Sequence, residues 1–389
     1  TQNLTYPGTD YWGESSANTP VGVLRSEGYD RTDRNTLLGS FFVEQKIIDG
    51  LRVKGVFSYD PTQINSKSFH VPFRYYVINL NTTPYSYTEA ISLQEGTGRP
   101  YVWLGLENRR RTNYTYQGYV NYDKTLGDHQ ITGLFVAEGR NYSENWFSAR
   151  RNNFSLQIDE LGLGSSDRMD FDNDGLSSTG SEVGYVYRLG YSYKQRYIVE
   201  AAGRYDGHYY FAPGSRWGYF PSFSGAWRIS EERFFEPLKG WLNEFKLRGS
   251  WGKAGMLAGQ PFQYLTGYSL RGNAYAFGNG SLVQGSRVIR EANPNITWEV
   301  STKTDIGFDA YLFNNLVNVE FDYFTERRTG MLLAPQVTLP VEYGLELSEE
   351  NKGEMANRGF EVNVGVRSRS TSSVTWSVNA NASYSRNRM

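Results

Sequence analysis

The run Asp170-Phe171-Asp172-Asn173-Asp174-Gly175 sets carboxylates at alternate positions and closes on a glycine, the first half of a calcium loop. Asp170, Asp172 and Asp174 would offer oxygen coordination to a hard cation. The second half departs from the pattern: Ser181 stands where a bidentate glutamate belongs, with Glu182 one residue beyond. A solvated acidic loop is the other reading of the same residues. Glycoside hydrolysis needs two carboxyl groups facing each other across a cleft. The adjacent pairs Asp159-Glu160, Glu231-Glu232 and Glu349-Glu350 do not converge in that way, and read as solvated charge or, for Glu231 and Glu232, as first-turn helix residues favoured by the helix dipole. His70, His129 and His208 lie far apart without ligand spacing. Cysteine is absent, which excludes disulfides, thiol nucleophiles and cysteine metal sites. No catalytic constellation emerges, so no enzyme activity is expected, and no cofactor is required beyond the candidate calcium.

Aromatic side chains between the regular segments form a second candidate set. Tyr101, Trp103, Trp146, Phe147, Tyr264, Tyr268, Tyr275 and Phe277 could stack on sugar rings or line a peptide channel. Packing of the connecting segments against one another is the alternative role for such large rings.

These residues hang on elements of period two. Tyr185, Tyr187, Leu189, Tyr191 and Tyr193 fall on one face while Val186, Arg188, Gly190 and Ser192 fall on the other. After Lys194-Gln195-Arg196 the alternation resumes: Tyr197, Val199, Ala201, Gly203 and Tyr205 oppose Ile198, Glu200, Ala202, Arg204 and Asp206. The pair is a hairpin with tyrosine-ended arms, one face apolar and one charged, as in strands that cross an outer membrane. The chain has 30 Tyr, 22 Phe and 9 Trp, yet its mean hydropathy is -0.57. A barrel with a polar lumen and an apolar outer band reconciles the two. No apolar run is long enough for a transmembrane helix. A formal net charge of -1 gives nucleic-acid binding little support.

The same alternation marks about twelve candidate strands, at 37–47, 51–59, 113–122, 129–141, 184–193, 197–206, 217–228, 244–252, 296–309, 316–325, 358–367 and 374–386. Short connectors alternate with long ones at 60–112, 142–183, 253–295 and 326–357, the rhythm of periplasmic turns and extracellular loops. The connector 229–243 is long for a turn, and Ser230 is placed to cap a short helix there. Arg188, Glu200, Arg204, Lys246, Arg248, Glu299, Lys303, Asp305, Glu320, Glu361 and Arg367 fall on the charged, lumen-facing side. Phe245, Leu247 and Trp251, with Val317, Val319, Phe321 and Tyr323 and with Phe360, Val362, Val364 and Val366, fall on the lipid side.

The first residues carry no basic segment followed by an apolar one, so no signal peptide is visible and the start reads as internal. The end falls within a strand pattern, and an even strand count puts both ends on the extracellular side. The expectation is a segment of a longer chain. Residues 1–36 would be an extracellular loop segment and 37–389 a partial transmembrane β-barrel domain without its plug.

Several ordered blocks carry a family resemblance. Arg216-Trp217-Gly218-Tyr219-Phe220-Pro221-Ser222, Ala226-Trp227-Arg228-Ile229-Ser230-Glu231-Glu232 with Phe234-Phe235, and Asn293-Pro294-Asn295-Ile296-Thr297-Trp298-Glu299 are three of them. Leu247-Arg248-Gly249-Ser250-Trp251-Gly252 is a fourth, with Gly249 and Trp251 where alanine and tyrosine are common. Ile306-Gly307-Phe308-Asp309, Asp322-Tyr323-Phe324 and Gly353-Glu354-Met355-Ala356-Asn357-Arg358-Gly359-Phe360-Glu361 continue the order. From about residue 37 onward the chain resembles the barrel of SusC/RagA-type TonB-dependent transporters of the Bacteroidota outer membrane. Tyr205-Asp206-Gly207-His208-Tyr209-Tyr210-Phe211 and the long connectors depart from the family pattern.

The resemblance implies an all-β fold: a transmembrane antiparallel β-barrel of about 22 strands with long extracellular loops, filled by an N-terminal plug. It implies an outer-membrane importer of a glycan or peptide nutrient. Its partners would be a SusD-like surface lipoprotein, TonB acting through an N-terminal region outside this sequence, and outer-membrane lipid. Two other classes stay open on residues alone: a soluble all-β carbohydrate-active enzyme or lectin, and a barrel with a structural or assembly role.

Overall fold

The computed structural model describes residues 6–8, 26–79, 82–84, 86–91, 101–278, 280–337, 339–368 and 374–389. In chain order its strands are β1 (Tyr6–Gly8), β2 (Tyr29–Thr36), β3 (Gly39–Ile48), β4 (Leu51–His70), β5 (Arg74–Asn79) and β6 (Ser86–Ile91). Then come β7 (Trp103–Leu126), β8 (His129–Asn152), β9 (Phe171–Tyr193), β10 (Tyr197–His208), β11 (Trp217–Arg228) and β12 (Leu242–Met256). The last are β13 (Gly267–Phe277), β14 (Ser281–Arg290), β15 (Glu299–Leu312), β16 (Val317–Leu333), β17 (Glu350–Arg367) and β18 (Ser377–Arg388). One 13-stranded sheet runs in the order β18-β17-β16-β15-β12-β11-β10-β9-β8-β7-β4-β2, with β3 also on β4. Sheet neighbours are close to chain neighbours, so the sheet is an up-and-down meander. Among the described residues no helix is long and apolar enough to cross a membrane.

The chain divides into two compact units: Thr1–Ser40, Ser58–Tyr114 and Asn141–Gly180 form the first, and Phe41–Phe57, Thr115–Arg140 and Ser181–Met389 the second. The first unit has a small core of Phe69, Val71, Leu104 and Phe154, with Val102, Leu106 and Leu161 packed against it. Phe69 and Phe154 meet edge to face at 6.3 Å. Its surface is knit by charge: Arg109 binds Glu107 and Glu144, and Lys67 binds Asp159 at 2.7 Å. The Lys67 ammonium, aided by the Tyr29 hydroxyl, holds the Asp159 carboxyl below its usual range.

The second unit is wall. Its registers put Tyr191, Val199, Gly225, Gly249, Ile306, Tyr323, Phe360 and Tyr384 in one row across eight strands. Because paired residues share a face, the adjacent row of Ser192, Ile198, Ala226, Arg248, Gly307, Asp322, Glu361 and Ser383 faces the other way. The first row is apolar and open: Val199 is 54% and Ile306 56% exposed, which only a lipid environment makes favourable.

All the candidate segments are strands, but many run further than their alternation. β7 and β8 continue well into what reads as long connectors, as do β4, β9, β16 and β17, and β13 and β14 pair within 253–295. Past the lipid band both faces meet water, so backbone pairing persists while the apolar/polar contrast that reveals it fades. β2 is a strand without any apolar face, its side chains all exposed. Ser230 caps no helix. It lies buried inside a 3-10 turn, Ile229–Glu231, whose cap position is Arg228 without a side-chain bond.

Phe321 stacks between Phe308 and Phe360 on the outer face. Phe321→Arg in the full-length protein should cost about 2–4 kcal/mol of folding stability in lipid vesicles. Glu320→Gln, one residue away on the inner face, should stay within about 0.5 kcal/mol. Equal losses in urea titrations would contradict the face assignment.

Candidate functional site

Alternation brings the charged residues of the second unit onto one surface, and register decides which of them meet. At its centre Arg248 on β12 reaches across β15 to β16. Its Nη1 and Nη2 donate to both carboxylate oxygens of Asp322 at 2.5 and 2.8 Å, and its Nε donates to Asp309 at 3.0 Å. Lys246, two residues earlier on the same face, binds the other oxygen of Asp309 at 3.0 Å. Asp305 lies 3.6 Å from Arg248. The bidentate geometry fixes the guanidinium plane against the wall, a role that a lysine could not fill. Glu320 accepts from the Asn363 amide at 3.3 Å, and Lys303 stands 3.9 Å from Glu326.

A second cluster lines an open cleft of about 650 Å³ on the inner face of β8 to β12. Arg140 binds Glu138 and Glu182, each at 3.0 Å. Arg204 forms a two-point contact with Asp206 at 2.9 and 3.0 Å, and Arg188 lies 3.6 Å from Glu200. His208, buried, sets Nε2 3.5 Å from Glu182. Trp298 closes one side, its indole N–H donating to the Arg216 carbonyl at 2.9 Å. Such a surface is of mixed sign and held by its own ion pairs.

Of the residues expected to face the lumen, Arg188, Glu200, Arg204, Lys246, Arg248, Lys303, Asp305 and Glu320 join these contacts. Glu299 is buried and accepts from the Leu332 N–H at 2.9 Å, and Arg367 donates to the Asn315 carbonyl at 2.8 Å. Glu361 lines a shallow hollow with Glu320 and Asp322. Asp309, Asp322, Glu138, Arg140 and Glu182 were not in the expected set. Asp309 shares the parity of Asp305, and Asp322 that of Glu320, so an unbroken count along each strand would have found both.

The aromatic candidates separate. Trp103 on β7 carries His70 stacked at 5.6 Å and the Arg150 guanidinium at 4.0 Å, so its faces are taken. Burial beside Arg150 pushes the His70 imidazole below its ordinary value. Trp146 has Arg109 at 5.7 Å, and Tyr264 packs by Phe262 at 6.2 Å. Tyr101 precedes β7, half-buried. Phe147 is exposed, as are Tyr268 and Tyr275 on the β13–β14 hairpin, whereas the side chain of Phe277 lies outside the described residues.

The acidic run is not wrapped into a loop. Asp170 ends a 3-10 turn and accepts from the Asn153 amide at 2.7 Å, while Asp172 and Asp174 lie on β9. Among the described residues no group of three His, Asp or Glu side chains could hold a metal.

The family model for the TonB dependent receptor-like β-barrel matches residues 1–388. The chain belongs to the TonB-dependent receptor β-barrel family. It is 28% identical over 382 residues to TonB-dependent receptor P26 of Formosa agariphila, covering 97% of this chain and 35% of that protein. TonB-dependent receptor SusC of Bacteroides thetaiotaomicron is 25% identical over 292 residues, 74% of this chain and 28% of SusC. The chain thus spans about a third of the length of these relatives. In fold it is similar to the RagAB peptide importer in its closed-closed state, with a TM-score of 0.77, 19% identity, and coverage of 92% of this chain and 37% of that one. Proteins of this TonB-dependent receptor family reside in the outer membrane, and the aromatic outer rows are the lipid-facing surface of such a barrel. The soluble all-β reading gives way to that placement.

Arg248→Ala leaves Asp322 and Asp309 without their shared cation and should cost about 1–3 kcal/mol. Asp322→Ala on top of it should cost less than the sum of the two single changes, by at least about 0.5 kcal/mol. Additive losses in a double-mutant cycle would show that the contact contributes nothing.

Proposed function

We propose that this chain forms wall and extracellular strands of a TonB-dependent importer that takes up a glycan or peptide nutrient together with a SusD-like surface lipoprotein. The observation that carries the proposal is the division of the second unit at single-residue resolution. Leu247, Phe308 and Phe321 face lipid, while Lys246, Arg248, Asp309 and Asp322 beside them form a hydrated, ion-paired inner surface. A lumen so lined suits a plug or a polar solute. The family membership supports energy coupling through TonB, acting on a region outside this sequence. The likeness of fold to a peptide importer and the SusC relative support a nutrient too large for simple pores. Phe147, Tyr268 and Tyr275 are the aromatic candidates whose rings stand exposed to meet such a ligand.

Deleting the encoding gene and supplying single glycans or peptides as the sole nutrient tests this. Growth should fail on one class, return with the intact gene, and stay absent when TonB is inactivated. Unchanged growth on every nutrient with a weakened envelope would favour a structural barrel, and uptake that survives loss of TonB would contradict energy coupling.

A further inference from the structure

Among the connectors whose residues are all described, antiparallel strands place 49–50, 127–128, 194–196, 229–241 and 313–316 at one end of the sheet, the end of short periplasmic turns. Four need only two to four residues to reverse the chain. The connector 229–241 instead builds two 3-10 turns, Ile229–Glu231 and Arg233–Leu238. Chain reversal does not require them.

Its root is fixed. The Glu232 carboxylate accepts from the Tyr197 hydroxyl and from the Trp227 indole N–H at 3.3 Å, and Arg196 lies 3.6 Å away. Phe235 is 3% exposed and anchors the turn from beneath, while its neighbour Phe234 is 65% exposed. Phe234 meets the Trp227 ring edge on at 6.4 Å. Trp227 pairs with Tyr197 and Leu247, both in the lipid-facing rows, so Phe234 continues that face past the strand end. Leu238 and Trp241 are also exposed, and Trp241 is held by backbone bonds to Leu238 and Phe313.

We propose that this turn is an interfacial foot: Phe234, Leu238 and Trp241 enter the headgroup boundary of the periplasmic leaflet and bind its lipid. Continuity with the lipid-facing girdle through the Phe234–Trp227 contact selects lipid as the occupant. A cluster of Trp, Phe and Leu beside exposed Arg233 and Glu236 has the composition that settles at such a boundary. The foot fixes the depth of the wall in the membrane, and it rests on the outer-membrane placement rather than on import.

The sequence has no cysteine, so single nitroxide labels can be placed in the full-length protein in liposomes, with any cysteine outside this sequence replaced. At Phe234→Cys and Leu238→Cys, collisions with oxygen should exceed those with a water-soluble nickel complex several-fold, and the order should reverse at Glu236→Cys and Gly240→Cys. Trp241→Cys replaces Phe234→Cys should that variant lose heat-modifiable gel mobility, and Val199→Cys on the wall reports membrane placement by itself. Aqueous behaviour at 234 and 238 with a lipid signal at 199 overturns the foot. So does shielding of both positions from both reagents, which would mean a protein partner covers the turn.

Discussion

A backbone that crosses hydrocarbon must pair every N–H and C=O within the protein, and this requirement governs the rest of the molecule. The meander meets it along strands of 8 to 24 residues. Pairing then forces successive side chains to opposite faces, so each strand of the second unit must carry two chemistries at once. Tyr197 to Asp206 does so residue by residue, and the registers carry the division through the middle of β9 to β12 and β15 to β18, with shifts only near the ends of β12 and β16.

The two faces are stabilised differently. Outward rings meet along the rows, as Phe308, Phe321, Phe360 and Tyr384 do at 5.7 to 6.5 Å, giving a largely apolar band with little to desolvate. Inward charges cannot rely on burial. They are knit by ion pairs that span three strands, and Arg248 is the clearest case because one guanidinium serves Asp309 and Asp322 together. The inner surface is therefore held in place before any plug or solute meets it. Partial exposure of these side chains keeps the individual pairs modest in energy, and geometry is their main contribution.

What the sequence revealed follows from this physics. Where lipid meets one face and water the other, alternation is strong, and β10 and β11 begin at the residues it marks. Where both faces meet water it fails. Trp103 to Thr112 reads as connector because Glu107, Asn108, Arg109, Arg110 and Arg111 interrupt any apolar face, yet the backbone stays paired. The acidic run is ambiguous for the opposite reason. Carboxylates at alternate positions are equally the pattern of a strand, and β9 is what Asp172 and Asp174 join. The inner network was half visible: Lys246, Arg248 and Asp305 lie on the expected face, but only register shows that Arg248 meets Asp322, 74 residues away.

The central claim is that one set of alternate residues faces lipid and the other a watery lumen. A single-cysteine scan through β10, from Ile198 to Arg204, in liposome-embedded protein tests it most directly. A polar, membrane-impermeant thiol reagent should modify positions 198, 200, 202 and 204 while sparing 199, 201 and 203. Uniform reactivity, or the opposite phase, would contradict the account.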